Sequence, residues 1–324
     1  MALSDFAVFS EWAYETMTET VAQEVDKFNA ASGGTITLVT APITGDYSDT
    51  AFYKKINGLV RRRNPYGTGA ITNKVLEHLT DTMVKVAAGA GPVDIKPSMF
   101  RWIQKNPEEA GVVLGEQLAG DMLADMLNTA VLGGYAAMVQ NTDILYDATG
   151  DTPDTLTYSA MNKAEAKMGD RSQDIAAWVT HSLPFHNLIG GNLANAERLF
   201  TYETVSVLAD YKGRPFIITD SPSLIDTTPN PDTYHLLGLV PNALSVEQNA
   251  DYDSNVENSN GDENIERTWQ AEWSYNLGVK GYAWDKTNGG KAPTDAAIAT
   301  STNWDKYASS DKDGPGVILK VDAS

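Results

Sequence analysis

The sequence predicts an α+β chain with one α/β-like stretch in its middle. Three patterns carry that prediction. Apolar stripes recur at helical spacing near the start and again after Pro107, helical and strand-like segments alternate from Thr152, and Trp269, Ala271, Trp273 and Tyr275 later fall on one side of a strand. The 324 residues suffice for one large domain or two ordinary ones, and 42% hydrophobic with 21% charged residues is globular rather than disordered usage.

Phe9, Ala13, Met17, Val21, Val25 and Phe28 recur mostly every four residues, with Glu11, Glu15, Glu19 and Glu24 off that face or on its border. Gly33-Gly34 ends this helix, whose stripe either completes the chain's own core or packs as an arm on a neighbouring subunit. Thr35-Ile-Thr-Leu-Val-Thr40 alternates β-branched residues and reads as a strand. Between Ala41 and Pro97, turn signals at Thr44-Gly45-Asp46, Asn64-Pro65-Tyr66-Gly67 and Gly89-Ala-Gly-Pro92 separate short apolar patches. Two short helices are expected there, around Asp49–Leu59 and Thr72–Val86, on an excursion too large for a compact core.

Pro107-Glu108-Glu109 opens the strongest helix, since proline suits the first turn and carboxylates favour the positive end of the helix dipole. Leu114, Leu118, Met122, Met126 and Ala130 form its stripe. Unbroken to Val139 it is about 50 Å long at ~1.5 Å per residue, with a bend or fray expected at Gly133-Gly134. Tyr158–Met168 then reads as a helix closed by Gly169, Ile175–Thr180 as a strand, Asn187–Phe200 as a mostly helical connection and Phe216–Thr219 as a strand. Pro222, Pro229 and Pro231 mark a rigid loop, and Leu236–Glu247 is a strand edged at Pro241. A polar, acidic loop at 251–263 leads into a long strand or hairpin over Asn264–Trp284. A helical turn at Asp295 and a strand over Gly316–Val321 close the chain, and no linker divides it into separate domains.

Composition removes several function classes. No apolar run approaches the ~20 residues that span a bilayer, and the start lacks the basic residues of a secretory signal. Zero cysteines exclude disulfides and thiolate chemistry, and fit a reducing cytoplasm. A formal charge of −19 opposes general binding to nucleic acid. His181 and His186 are separated by Ser182-Leu-Pro184, and the proline argues against the helix that a metal pair would need. Asp251, Asp253 and Asn255 match three ligand positions of a calcium loop, but Val256 stands where glycine is required and Asp262 where a bidentate glutamate is. Neither a phosphate loop nor a Gly-x-Ser-x-Gly elbow is present, so no catalytic, cofactor or metal residue is assigned. Arg61-Arg62-Arg63 is the one dense basic run, read as a solvated turn or as a contact to an acidic partner, of which the most available is another copy of this chain.

Trp178-Val-Thr-His-Ser182, a connection, and Gly213-Arg-Pro-Phe-Ile-Ile-Thr-Asp220 together resemble the major capsid proteins of tailed bacteriophages. Gly278-Val-Lys-Gly-Tyr-Ala-Trp284, Pro293-Thr-Asp-Ala-Ala297 and Asn303-Trp304 are similar to a subset of them. The resemblance implies the Hong Kong 97-type capsid fold: an N-terminal arm (1–32), an extended loop (33–100), a spine helix of the peripheral domain (101–140), an axial domain (141–235) and a return to the peripheral domain (236–324). It also implies a structural protein and no enzyme, forming hexamers and pentamers that close into an icosahedral shell around double-stranded DNA in the virion, after synthesis in the host cytoplasm. Portal, decoration and separate scaffolding proteins are its implied partners, with no membrane. Under this resemblance Arg61, Arg62 and Arg63, with the stripe residues Phe9, Met17 and Val21, become candidate intersubunit contacts. No residue match supports covalent cross-linking. The competing readings are an α+β hydrolase built around His181, His186 and Asp220, or another self-assembling virion component.

Overall fold

The computed structural model describes residues 2–40, 45–53, 59–189, 197–202, 205–209, 213–259 and 265–323. Helix α1 (Ala2–Ala31) is followed by strand β1 (Ile36–Thr40). Gly33 and Gly34, both at φ +66°, turn the chain out of the helix. The Asn29 side chain then clamps the new strand, donating to the Leu38 carbonyl at 2.8 Å and accepting from the Leu38 N–H at 3.0 Å.

Strands β2 (Tyr47–Tyr53) and β3 (His78–Asp94) pair antiparallel, from Tyr47 opposite Val84 to Tyr53 opposite His78. This hairpin stands where two short helices were expected over 49–59 and 72–86, although 54–58 lie outside the described residues. The reason is period two: Thr82, Val84 and Val86 are buried while the residues between them are not, and stiff β-branched side chains fit a pleated surface better than a helix. Between the strands, residues 59–77 have no regular structure beyond the turn predicted at Asn64–Gly67, closed by Gly67 N–H donating to the Asn64 carbonyl at 3.2 Å.

Helices α2 (Pro97–Lys105) and α3 (Pro107–Val139) come next. The latter runs unbroken through Gly133-Gly134, contrary to the expected bend. A Cβ at Gly133 would lie 2.8 Å from Leu277 and one at Gly134 would lie 2.7 Å from Leu244, so these glycines admit side chains from the sheet. By length and composition α3 could cross a membrane, which corrects the reading of the sequence alone, but most of its apolar stretch is buried inside the protein.

The chain continues through β4 (Leu145–Asp147), α4 (Tyr158–Glu165), β5 (Ala177–Thr180), α5 (Ser182–Ile189), β6 (Glu197–Tyr202), β7 (Val205–Ala209), β8 (Pro215–Thr219), β9 (Ile225–Asp226) and β10 (Thr233–Leu239). It ends with β11 (Leu244–Gln248), β12 (Asp253–Ser259), β13 (Glu266–Val279), β14 (Tyr282–Trp284), α6 (Asp295–Ile298), β15 (Trp304–Lys306) and β16 (Gly316–Asp322). Three expectations are corrected here. Helix α5 does form, because Pro184 sits in its first turn, where a missing N–H costs nothing. The supposed helical connection 187–200 ends as strand β6, with 190–196 outside the described residues. Of the acidic stretch after Asp251, residues 253–259 are strand β12, paired with β13 from Asp253 opposite Glu272 to Ser259 opposite Glu266, so their side chains alternate between faces instead of wrapping an ion, and 260–264, with Asp262, lie outside the described residues.

Among the described residues, two eight-stranded sheets result. One has the path β1-β11-β13-β14-β15, with β3 and β12 also on β13 and β2 on β3; the other runs β4-β16-β10-β5-β8-β7-β6, with β9 on β10. The segment read as one strand, 236–247, is two strands in different sheets, joined at Pro241 and Asn242, the latter at φ 54°. A boundary between 235 and 236 therefore falls inside β10, and the closing strand β16 pairs with β10 rather than with the first sheet. Helix α3 ties the two sheets together. Tyr275 of β13 donates to Asp125 at 2.9 Å and Thr129 lies 3.0 Å from the same hydroxyl, while Thr219 of β8 donates to Asn128 at 3.0 Å.

Candidate assembly surface

Among the described residues, the hairpin of β2 and β3 carries the most exposed apolar side chains on its connecting segment. Val60 is 95% exposed and Tyr66 94%, with Leu59, Ile71, Val75 and Leu76 also open. Arg61, Arg62 and Arg63 lie on the same segment, exposed and without an ion pair among the described residues. The base of the hairpin is fixed. Lys286 pairs with Asp49 at 2.5 Å, Lys291 with Asp46 at 2.6 Å and Lys85 with Asp251 at 3.1 Å. The Lys286 contact holds the Asp49 carboxyl below its usual range, and Thr82 also donates to that carboxylate at 2.8 Å. Phe52 packs edge-on against Tyr307, with ring centroids 5.1 Å apart. Burial, with the nearby Asp81 carboxylate, pushes the Tyr307 hydroxyl up to about 12. A clamped base thus carries an uncovered apolar and basic segment, larger than the scattered single apolar residues of an ordinary surface. These clamps were illegible in the sequence because each joins residues far apart in the chain.

The other candidate contacts are corrected. Phe9, Met17 and Val21 are 5%, 1% and 3% exposed, already buried on the chain's own α3. Gly111 and Gly115 of α3 allow this. A Cβ at Gly111 would lie 2.7 Å from the Phe9 carbonyl oxygen, and one at Gly115 would lie 2.6 Å from that of Ala13. The stripe therefore serves the core, and the two glycines, four apart on one helix face, were the sequence signal for close backbone approach.

Of the residues in the hydrolase reading, His181 Nε2 lies 3.4 Å from Asp220 Oδ1, while His186 is exposed on α5. Asp220 accepts from the Ser182 N–H at 3.3 Å, at the start of α5. Its carboxyl is held below the usual range mainly by the Ser182 hydroxyl, and burial lowers the His181 imidazole. A carboxylate receiving the first N–H and hydroxyl of a helix acts as its cap.

In the Gly213-Arg-Pro segment, Arg214 forms a buried ion pair with Glu165 at the end of α4 and donates to the Ser172 carbonyl at 3.2 Å. It thereby ties the start of β8 to the helix before β5.

The fold is similar to that of the cyanophage Pam1 capsid asymmetric unit, at 14% identity and a TM-score of 0.50, covering 87% of this chain and 86% of that one. The capsid of Ralstonia phage GP4 matches at 12% identity, a TM-score of 0.48 and coverage of 90% and 88%. The head structure of Helicobacter pylori bacteriophage KHP40 matches at 8% identity, a TM-score of 0.49 and coverage of 91% and 89%. No curated protein sequence matches. The match to the Pam1 capsid makes the two-sheet architecture on a long central helix a phage-capsid, Hong Kong 97-type fold. The Gp13-like family, described as major capsid protein 13-like, matches residues 5–318, and the chain belongs to that family of shell-forming major capsid proteins.

Proposed function

We propose that the chain associates as hexamers and pentamers into an icosahedral head shell around double-stranded phage DNA, and that residues 59–77 lie on a neighbouring subunit in that shell. The exposure of Leu59, Val60, Tyr66, Ile71, Val75 and Leu76 carries this reading. Apolar side chains held in water by a clamped hairpin gain roughly 25 cal/mol per Å² covered on association, which must exceed the cost of ordering the segment. In the assembled particle, 1–32 belongs with the body rather than with a neighbour, 33–100 acts as the extended loop and 101–140 as the spine. We assign 141–235 to the axial region together with β16, and the rest of 236–324 to the peripheral region.

A separate scaffolding protein, a portal and decoration proteins complete the proposed partner set, with assembly in the host cytoplasm. The net charge of −19 suits a wall that repels rather than traps the packaged genome. The protein acts without catalysis in this reading, and the contact of His181 with Asp220 belongs to the capping of α5. Deleting 59–77 tests the proposal: the variant stays folded and sediments as subunits. Shells formed at the parent's yield by the deletion variant contradict it.

A further inference from the structure

We propose that Asn288 is a deamidation site whose conversion to an acid loosens the clamp at the base of the β2–β3 hairpin, and that Asp285 governs its rate. The inference stands on the clamp geometry and holds whether or not residues 59–77 pack on a neighbour.

Residues 285–291 lie in the connection between β14 and α6. Two lysines there hold the start of β2. Lys286 pairs with Asp49 and lies over the Tyr47 ring, its Nζ 5.0 Å from the centroid, and Lys291 pairs with Asp46 at 2.6 Å. Asn288 and Gly289 stand between these lysines, with the Asn288 side chain exposed. Asp285 holds the turn together. Its Oδ1 accepts the N–H groups of Thr287 at 2.7 Å and Asn288 at 3.2 Å, and its Oδ2 accepts from the Asn288 side-chain amide. Its backbone carbonyl accepts the Gly289 N–H at 2.9 Å. The Thr287 N–H, chiefly, keeps the Asp285 carboxyl below its usual range, so it is ionised at neutral pH. Glycine at 289 is imposed by packing. A Cβ there would fall inside the indole of Trp284, which is buried and donates through Nε1 to the Gly290 carbonyl at 3.0 Å.

An asparagine followed by glycine is prone to cyclise, because no side chain shields the following nitrogen. The Gly289 nitrogen attacks Cγ of Asn288, the Cγ–Nδ2 bond breaks, and Nδ2 leaves as ammonia with the proton from Gly289. Water then opens the succinimide at either carbonyl, giving aspartate or an isoaspartate whose backbone is one methylene longer. In the folded turn the attacking nitrogen and the leaving amide are both tied to Asp285, so cyclisation waits on local opening. Either product sets a second carboxylate where the amide donated to Asp285, replacing a hydrogen bond by like-charge repulsion. Isoaspartate also lengthens the backbone between Lys286 and Lys291, which shifts the two lysines relative to Asp49 and Asp46. The sequence has Asn-Gly at 57–58, 260–261 and 288–289, and the last of these lies between the clamping lysines.

Ageing the purified full chain in mildly alkaline buffer tests the proposal. Peptide mass mapping counts the acid formed at each Asn-Gly pair, and hydrogen exchange follows the amides of Tyr47–Tyr53. In the parent chain aspartate and isoaspartate accumulate at 288, and exchange across β2 quickens in step with them. Asp285→Ala removes three hydrogen bonds to a charged group and raises the rate at 288 at least about tenfold. Asn288→Ala has no side-chain amide to cyclise, so its β2 exchange keeps its starting value on ageing even while 57 and 260 convert. Three results overturn the proposal. One is intact Asn288 in the folded parent at a time when urea-unfolded parent is fully converted there. Another is an equal rate at 288 in the parent and Asp285→Ala chains. The third is β2 exchange that quickens as much in aged Asn288→Ala as in the aged parent.

Discussion

Replacing Gly111 and Gly115 together by alanine tests how the N-terminal helix is held, because two effects of opposite sign compete there. In an exposed helix each change stabilises by about 1 kcal/mol, since alanine loses less backbone entropy than glycine. Here each new methyl meets backbone. The Cβ at Gly111 would sit 2.7 Å from the Phe9 oxygen and 3.2 Å from the Ala13 nitrogen, and the Cβ at Gly115 would sit 2.6 Å from the Ala13 oxygen and 3.2 Å from the Met17 nitrogen. Backbone cannot rotate away as a side-chain tip can, so α1 must shift outward, loosening the burial of Phe9, Met17 and Val21. Overpacking of this kind costs about 1–3 kcal/mol per site, so the double variant loses about 2 kcal/mol net after the propensity gain. At roughly 2 °C per kcal/mol for a chain of this size, the melting temperature of unassembled subunits falls by about 4 °C in a calorimetric scan. Gly150→Ala, with nothing within 4 Å of the added methyl, is the control and does not lower it. A rise of about 4 °C in the double variant, the full propensity gain, would refute close packing of α1 on α3.

Two further outcomes follow from buried charge. Arg214→Met leaves the buried Glu165 carboxylate without its guanidinium and costs about 3–5 kcal/mol in urea unfolding, whereas Arg171→Met, in half-exposed pairs with Asp174 and Asp313, costs under about 1 kcal/mol; equal costs would contradict the assignment. Burial, with Lys320 adding to it, lowers the His235 imidazole from 6.5 to about 4. Between those values the unfolded chain binds a proton that the folded chain does not, so stability present above pH 6.5 is lost as pH falls toward 4, by up to about 3 kcal/mol. His235→Asn flattens that part of the stability profile, and an unchanged slope in the variant would reject the cause.

The helices were legible where a period of 3.6 was uninterrupted, as in α1 and α3, and the aromatic alternation marked β13 equally well. The hairpin of β2 and β3 was missed because its β-branched alternation, Thr80, Thr82, Val84 and Val86, is interspersed with residues that helices also accept. Its strand character comes from pairing with residues some thirty positions away. The acidic stretch after Asp251 read as a loop on composition, since polarity marks both loops and exposed edge strands, and only the ladder to β13 decides between them. The apolar stripe of α1 was visible, but its partner was not. A period reports that a face is buried and is silent on whether the cover belongs to the same chain; Gly111 and Gly115 held that answer. The arginine run stood out by charge alone, while Asp121, Asp125 and Asp295 are scattered in the sequence and only the fold gathers them beside α3.

The central claim is that this chain closes into a shell through its extended hairpin segment. Negative-stain electron microscopy of the protein, produced with its neighbouring phage genes, tests it most directly, with the 59–77 deletion imaged alongside. The account predicts closed polyhedral particles from the parent chain and dispersed subunits from the deletion. Dispersed parent subunits, or tubes in place of closed particles, would contradict it.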